Sequence, residues 1–75
     1  MGFRLFCEQQ GIELLREDIG FIRDMLSRIP KVTHKSILNR YTCEWLGAFN
    51  KCDDMLRKQN EGRREANTWL REYVE

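Results

Sequence analysis

Apolar residues recur at steps of three and four along the first half of the chain. The series is Ile12, Leu15, Ile19, Ile22, Leu26 and Ile29, and the residues between its members are mostly charged or polar. This spacing is typical of a helix that packs along its length through one apolar face. We therefore predict a helix over about 12–29. Pro30 ends it, because proline lacks a backbone N–H and disfavours the helical conformation of the preceding residue.

The same spacing predicts a second helix over about 34–52. Its apolar face is broad and aromatic, and consists of Ile37, Leu38, Tyr41, Trp45, Ala48, Phe49 and Cys52. Either Thr33 or Ser36 can cap its first turn, since both side chains carry a hydroxyl that accepts a hydrogen bond from a free N–H. Asp53 and Asp54 are good turn formers, so they predict a short connection around residues 53–58.

A third helix is predicted over about 60–73, with Asn60 as its cap. Its inner face consists of Gly62, Ala66, Trp69, Leu70 and Tyr73. Because the two small residues are one turn apart, we expect another helix to come close there, while the aromatic rings fill the wider gap further along. The second and third helices should therefore form an antiparallel hairpin.

These patterns predict an all-α fold, either a three-helix bundle or a helical hairpin plus an N-terminal helix. No run alternates with the period of a strand for long enough to compete. Phe3, Leu5 and Phe6 are too apolar to remain together in water, so residues 1–10 should lie across the bundle. A domain formed by residues 1–75 has little apolar area to bury, which makes a dimer a reasonable alternative to a monomer.

The composition places the chain in a reducing, aqueous compartment. It has 13 basic and 12 acidic residues, a net charge of +1, and no apolar run long enough for a membrane span or a signal peptide. The three cysteines are odd in number and form no C-x-x-C pair. We therefore expect a cytoplasmic protein that has no membrane partner.

Neither a metal centre nor an enzyme is expected. His34, Cys43 and Cys52 are suitable metal ligands, but nine-residue steps along one helix turn successive members to opposite sides. The adjacent carboxylates of Asp53 and Asp54 are explained by a turn, and no phosphate-binding loop or nucleophile elbow is present. We predict no cofactor and no catalytic residue.

The last helix carries an excess of basic residues. Residues 57–71 contain five basic and two acidic side chains, a net charge of +3. Packing does not require four of the polar residues in this region, and these are the candidate binding residues: Arg63, Arg64, Asn67 and Arg71. Arginines can contact phosphates, and Asn67 can read a base edge. These residues also have two structural interpretations. The arginines can belong to a solvated face of a helix whose Trp69 is buried, and Asn67 can form a hydrogen bond with a backbone group inside the hairpin.

Residues 59–71 resemble the C-terminal signature of a group of short, uncharacterised proteins encoded by tailed bacteriophages and prophages. The resemblance extends from about Tyr41, and its pattern is N-x-G-R-R-x-A-N-x-W-L-R, from Asn60 to Arg71. It implies a phage origin and a helical hairpin. It implies no activity, because none is established for the group.

The function we expect is that of a non-enzymatic helical module that binds another protein, either a host factor or a second copy of itself. The binding surface would combine the part of the apolar stripe that remains free with the arginines of the last helix. The alternative is a small nucleic-acid-binding regulator that uses the same arginines. A net charge of only +1 provides little drive for that alternative.

Overall fold

The computed structural model describes residues 2–75. Their elements are a short 3₁₀ turn at Lys31–Thr33 and four α-helices, namely α1 (Phe3–Gln9), α2 (Arg16–Leu26), α3 (His34–Lys51) and α4 (Lys58–Val74). No strand occurs within residues 2–75. The predicted all-α fold is therefore confirmed.

The two long helices form an antiparallel hairpin, and the contact between them is the largest in the molecule. Trp45 of α3 is fully buried against Gly62 of α4, and a Cβ atom at Gly62 would lie only 2.4 Å from the Trp45 ring. Tyr41 pairs with Asn67 one turn further from the connection. The predicted hairpin and the close approach at the small residues are thus both present.

The helices α1 and α2 lie on one face of this hairpin and close the core with it. The core consists of Cys7, Ile12, Ile22, Met25, Leu26, Ile37, Tyr41, Trp45, Ala66 and Leu70. Every element contributes to it except the 3₁₀ turn and the connection between α3 and α4. The other face of the hairpin is left open to solvent.

The first predicted helix is too long at both ends, since α2 occupies Arg16–Leu26 rather than about 12–29. The cause at its start is the end of α1. Gly11 has a φ of +82°, and the N–H groups of Gly11 and Ile12 donate to the carbonyls of Glu8 (3.0 Å) and Cys7 (3.1 Å). This Schellman arrangement places Ile12 in the core from a non-helical segment.

The buried face of α2 also differs from the predicted stripe. Its buried residues are Asp18, Ile22, Met25 and Leu26, whereas Leu15 precedes the helix and is 46% exposed. The carboxylate of Asp18, at the third helical position, accepts the Leu15 N–H at 2.9 Å, so the helix begins after Leu15. An acidic residue that the spacing placed between the apolar members of the stripe is therefore buried.

The inner face of α4 is confirmed for Gly62, Ala66 and Leu70, which are buried. The two aromatic residues behave differently from the prediction. Trp69 is only partly buried, and Tyr73 is 53% exposed and stacks on the Trp69 ring at 5.4 Å between centroids. Trp69 and Tyr73 stay partly exposed because α2 covers α4 on the side of Arg63 and Asn67. The tryptophan in the core is Trp45.

Candidate functional site

A buried carboxylate joins α2 to the hairpin. Asp18 is 3% exposed, and both of its oxygens accept hydrogen bonds. Oδ2 accepts from the Leu15 N–H at 2.9 Å and from Arg63 Nε at 2.6 Å, while Oδ1 accepts from Asn67 Nδ2 at 3.1 Å. A buried charge is tolerated only when it is paired and hydrogen-bonded, and Asp18 meets both conditions.

Arg63 uses each nitrogen of its guanidinium in this cluster. Besides the Nε contact, one terminal nitrogen donates to Asn60 Oδ1 at 2.6 Å and the other donates to the Glu13 carbonyl at 2.8 Å. The guanidinium also lies 5.1 Å from the centroid of the Trp45 ring, within cation–π range. Arg63 thus connects α4 to α3, to α2 and to the segment that precedes α2.

Asn67 bridges Asp18 to α3. The Tyr41 hydroxyl donates to Asn67 Oδ1 at 2.5 Å, and the Asn67 amide donates to Asp18. Burial, and secondarily the nearby Asp18 charge, raises the pKa of Tyr41, so the phenol remains a donor across the physiological range. We call Asp18, Arg63, Asn67 and Tyr41 the Asp18 network.

The geometry of the Asp18 network leaves no free side for a substrate. Three donors already occupy the carboxylate, and within residues 2–75 no buried side-chain nitrogen or oxygen lacks a hydrogen-bond partner. A neighbouring pair extends the same pattern, since Trp45 Nε1 donates to Gln59 Oε1 at 3.1 Å. The Asp18 network therefore holds α2, α3 and α4 together. A general acid or base needs a side that a substrate can reach, and the Asp18 carboxylate has three donors around it instead.

The structure divides the four predicted binding residues into two pairs. Arg63 and Asn67 belong to the Asp18 network, where Asn67 satisfies side chains rather than the backbone group considered above. Arg64 and Arg71 are exposed, and their guanidinium groups contact different partners. Arg64 donates to Glu61 at 2.9 Å, and the Arg71 guanidinium lies 5.4 Å from the centroid of the Phe21 ring. The four residues therefore do not form one surface.

A second feature, which the residue patterns did not identify, is an apolar groove of about 410 Å³. It lies where α1, the end of α2 and the start of α3 meet. The groove is lined by Gly2, Phe3, Phe6, Leu26, Lys31, His34, Lys35 and Leu38. Phe3 and Phe6 indicated an apolar surface in this region, because residues this apolar are not expected to remain together in water. What could not be read from the sequence is that they cover the core only in part.

The open face of the hairpin carries a larger and more polar groove of about 600 Å³. Its lining includes Glu44, Lys51, Glu61, Arg64 and Glu65, so opposite charges alternate across it. Arg57 and Arg64 both donate to Glu61. Because these exposed ion pairs are solvated, they contribute little to stability and leave no excess of positive charge in the groove.

The cysteines are separate from one another and differ in exposure. Cys7 is buried, Cys43 is exposed and Cys52 is intermediate. Burial, with a smaller contribution from the Glu8 charge, raises the pKa of Cys7 to about 11. Within residues 2–75, no three His, Cys, Asp or Glu side chains converge on a position that could hold a metal ion.

Comparisons with protein-family models, with curated proteins and with solved structures give no match to this chain. Among the helices of residues 2–75, none combines the length and the apolar character needed to cross a bilayer. The residues themselves must therefore carry any argument about function.

Proposed function

We propose that the chain is a non-enzymatic helical module, encoded by a tailed bacteriophage or prophage, that works in the cytoplasm by binding a protein. The partner is a host factor or a second copy of the chain. The observation that carries this proposal is the apolar groove, which leaves Phe3, Phe6 and Leu38 only partly covered. Apolar clefts rimmed by polar side chains are typical of surfaces that bind other proteins.

The phage origin rests on the resemblance of residues 59–71, and the structure gives that pattern a physical meaning. Gly62 and Ala66 let α3 approach, and Leu70 fills the core. Arg63 and Asn67 hold Asp18. A pattern with these roles supports a shared hairpin. The position of the gene among other phage genes is the test of this part of the proposal.

The contacts of α4 favour protein binding over the alternative, a nucleic-acid-binding regulator. Arg63 is occupied by Asp18, and Arg57 and Arg64 share the carboxylate of Glu61. Arg71 lies against Phe21. Phosphate binding requires several unpaired cations on one surface, and the arginines of α4 point to different partners.

Affinity capture from a bacterial lysate tests the proposal. The wild-type chain is compared with Leu38→Glu, which places a charge in the groove, and with Leu15→Glu, which makes the same change at an exposed leucine outside it. We expect wild type and Leu15→Glu to retain the same protein, or to self-associate equally, and Leu38→Glu to do neither. A wild-type chain that sediments as a strict monomer and retains nothing would remove the proposal.

Mobility-shift titrations with DNA and RNA at low salt distinguish the alternative. We expect no shift. A shift of micromolar or tighter affinity that falls steeply with salt, and that Arg64→Ala with Arg71→Ala abolishes, would replace protein binding by nucleic-acid binding as the function.

A further inference from the structure

The connection between α3 and α4 presents the most exposed large apolar side chains at that end of the molecule. Met55 is 80% exposed and Leu56 is 92% exposed. The turn that carries them is fixed, because Asp54 Oδ1 accepts the Leu56 N–H at 2.9 Å and the Asp54 carbonyl accepts the Arg57 N–H at 3.0 Å. We call residues 53–56 the acidic loop, since Asp53 and Asp54 give it two negative charges.

The charges that flank the acidic loop have partners elsewhere. Arg57 pairs with Glu61 at 3.1 Å, and Lys58 Nζ lies 5.0 Å from the centroid of the Phe49 ring. The two loop carboxylates form no ion pair within residues 2–75. The acidic loop is therefore an apolar surface with negative charge beside it.

The apolar groove has the complementary character. Its walls are Phe3, Phe6, Leu26 and Leu38, and its rim carries Lys31 and Lys35 with no carboxylate among the lining residues. In the part of the chain that the structure describes, neither lysine has a carboxylate within 4 Å. The first turn of α3 also lacks an acidic residue, so the positive end of that helix dipole adds to the field of the two lysines.

The two surfaces cannot meet within one molecule. The groove lies at the start of α3 and the acidic loop follows its end, and an 18-residue helix separates them by about 27 Å at 1.5 Å per residue. The only way for one to cover the other is between two copies. Because the surfaces differ, such a contact is head-to-tail rather than a symmetric pairing of identical patches.

We infer that the apolar groove binds the acidic loop of a second copy of this chain, with Met55 and Leu56 against Phe3, Phe6 and Leu38, and with Asp53 and Asp54 facing Lys31 and Lys35. The inference rests on the proposed function, of which it selects the self-binding form. An open assembly keeps one free groove at one end and one free loop at the other, so the contact repeats until a ring closes or a filament grows.

Sedimentation velocity over roughly a hundredfold range of concentration measures the contact. We expect the wild-type mass to rise with concentration and the association to weaken with salt, since the paired charges are exposed. Lys31→Glu with Lys35→Glu, and separately Asp53→Lys with Asp54→Lys, should each weaken association at least about tenfold. The matched control is Arg16→Glu with Arg23→Glu, which reverses two exposed cations of α2 that lie outside both the groove and the acidic loop and should associate like wild type. Thermal melting confirms that every variant is folded.

The most decisive experiment mixes the variant with a reversed groove charge and the variant with a reversed loop charge. Each fails alone because like charges face each other, but in the mixture every groove meets a loop of opposite charge, so we expect association to return. A second mixture tests the head-to-tail geometry. Leu38→Glu keeps only its loop and Met55→Ser with Leu56→Ser keeps only its groove, so the pair should form a dimer that grows no further.

Three results would overturn the inference. They are a wild-type chain that stays monomeric, charge reversals that leave association unchanged, and a mixture of the reversed variants that does not associate. A monomeric wild type that still retains a lysate protein lost on Leu38→Glu would overturn this inference alone and leave the proposed function standing.

Discussion

The two faces of the α3–α4 hairpin contain similar residue types but differ in what they do. On the covered face, Arg63 pairs with the buried Asp18, and no buried side-chain nitrogen or oxygen within residues 2–75 lacks a hydrogen-bond partner. On the open face, Arg64 and Glu61 form a solvated pair. Arg63 and Arg64 are neighbours in sequence, but successive helical residues are turned by about 100°, and only one of them faces α2. Whether an arginine of α4 stabilises this fold therefore depends on whether α2 packs against it, and not on the residue type.

Removing the buried carboxylate should have the largest effect. Asp18→Ala leaves the Arg63 guanidinium partly buried without a counter-charge and frees the Asn67 amide and the Leu15 N–H, so we expect a loss of about 3–5 kcal/mol in the free energy of unfolding. Chemical denaturation followed by circular dichroism measures it. Glu61→Ala, the matched change on the open face, should cost less than about 1 kcal/mol. Equal losses for the two variants would contradict the distinction between the faces.

Alkaline pH should weaken the covered face through Cys7. The pKa of this thiol is raised from 9.0 to about 11 in the folded chain, so folding favours the neutral thiol. The corresponding stability is fully present below about pH 9 and is lost as the pH rises towards 11, by about 2–3 kcal/mol. Unfolding measured between these pH values should show this loss in wild type and a smaller one in Cys7→Ala. If the two chains lose stability in parallel, the thiol is not the cause.

Two glycines offer a comparison of opposite sign. Gly62→Ala brings a Cβ to 2.4 Å from the Trp45 ring, which must shift, so we expect a loss of about 1–3 kcal/mol. Gly47 lies on the open face with no atom within 4 Å of the added Cβ, so Gly47→Ala should gain about 0.5–1 kcal/mol from helix propensity. Urea unfolding of both variants tests this pair. Changes of the same sign would show that the hairpin is packed differently.

Local spacing was enough to predict the hairpin but not the network on it. The steps of three and four placed Gly62, Ala66 and Leu70 on the inner face of α4, because those contacts repeat along one helix. Asp18 lies at a position that the pattern of α2 marks as polar, and its partners Arg63 and Asn67 follow 45 and 49 residues later in the chain. Spacing within one helix carries no information about such distant pairing.

The residue pattern did not predict the apolar groove either, because its lining residues come from three helices that are separate in the sequence. Phe3 and Phe6 were expected to lie against the bundle, and they do, but both stay partly exposed along the groove. Gly11 ends α1 and sends the chain into the core at Ile12. A glycine in the left-handed region therefore ends α1 and separates it from α2.

The role of the Asp18 network is tested most directly by a double-mutant cycle on the free energy of unfolding, which pairs Asp18→Asn with Arg63→Ala and, in parallel, with Arg64→Ala. We expect a coupling energy of about 1–3 kcal/mol for Asp18 with Arg63 and one indistinguishable from zero for Asp18 with Arg64. Zero coupling to Arg63, or equal coupling to both arginines, would contradict the claim that the Asp18 network fixes α2 to the hairpin.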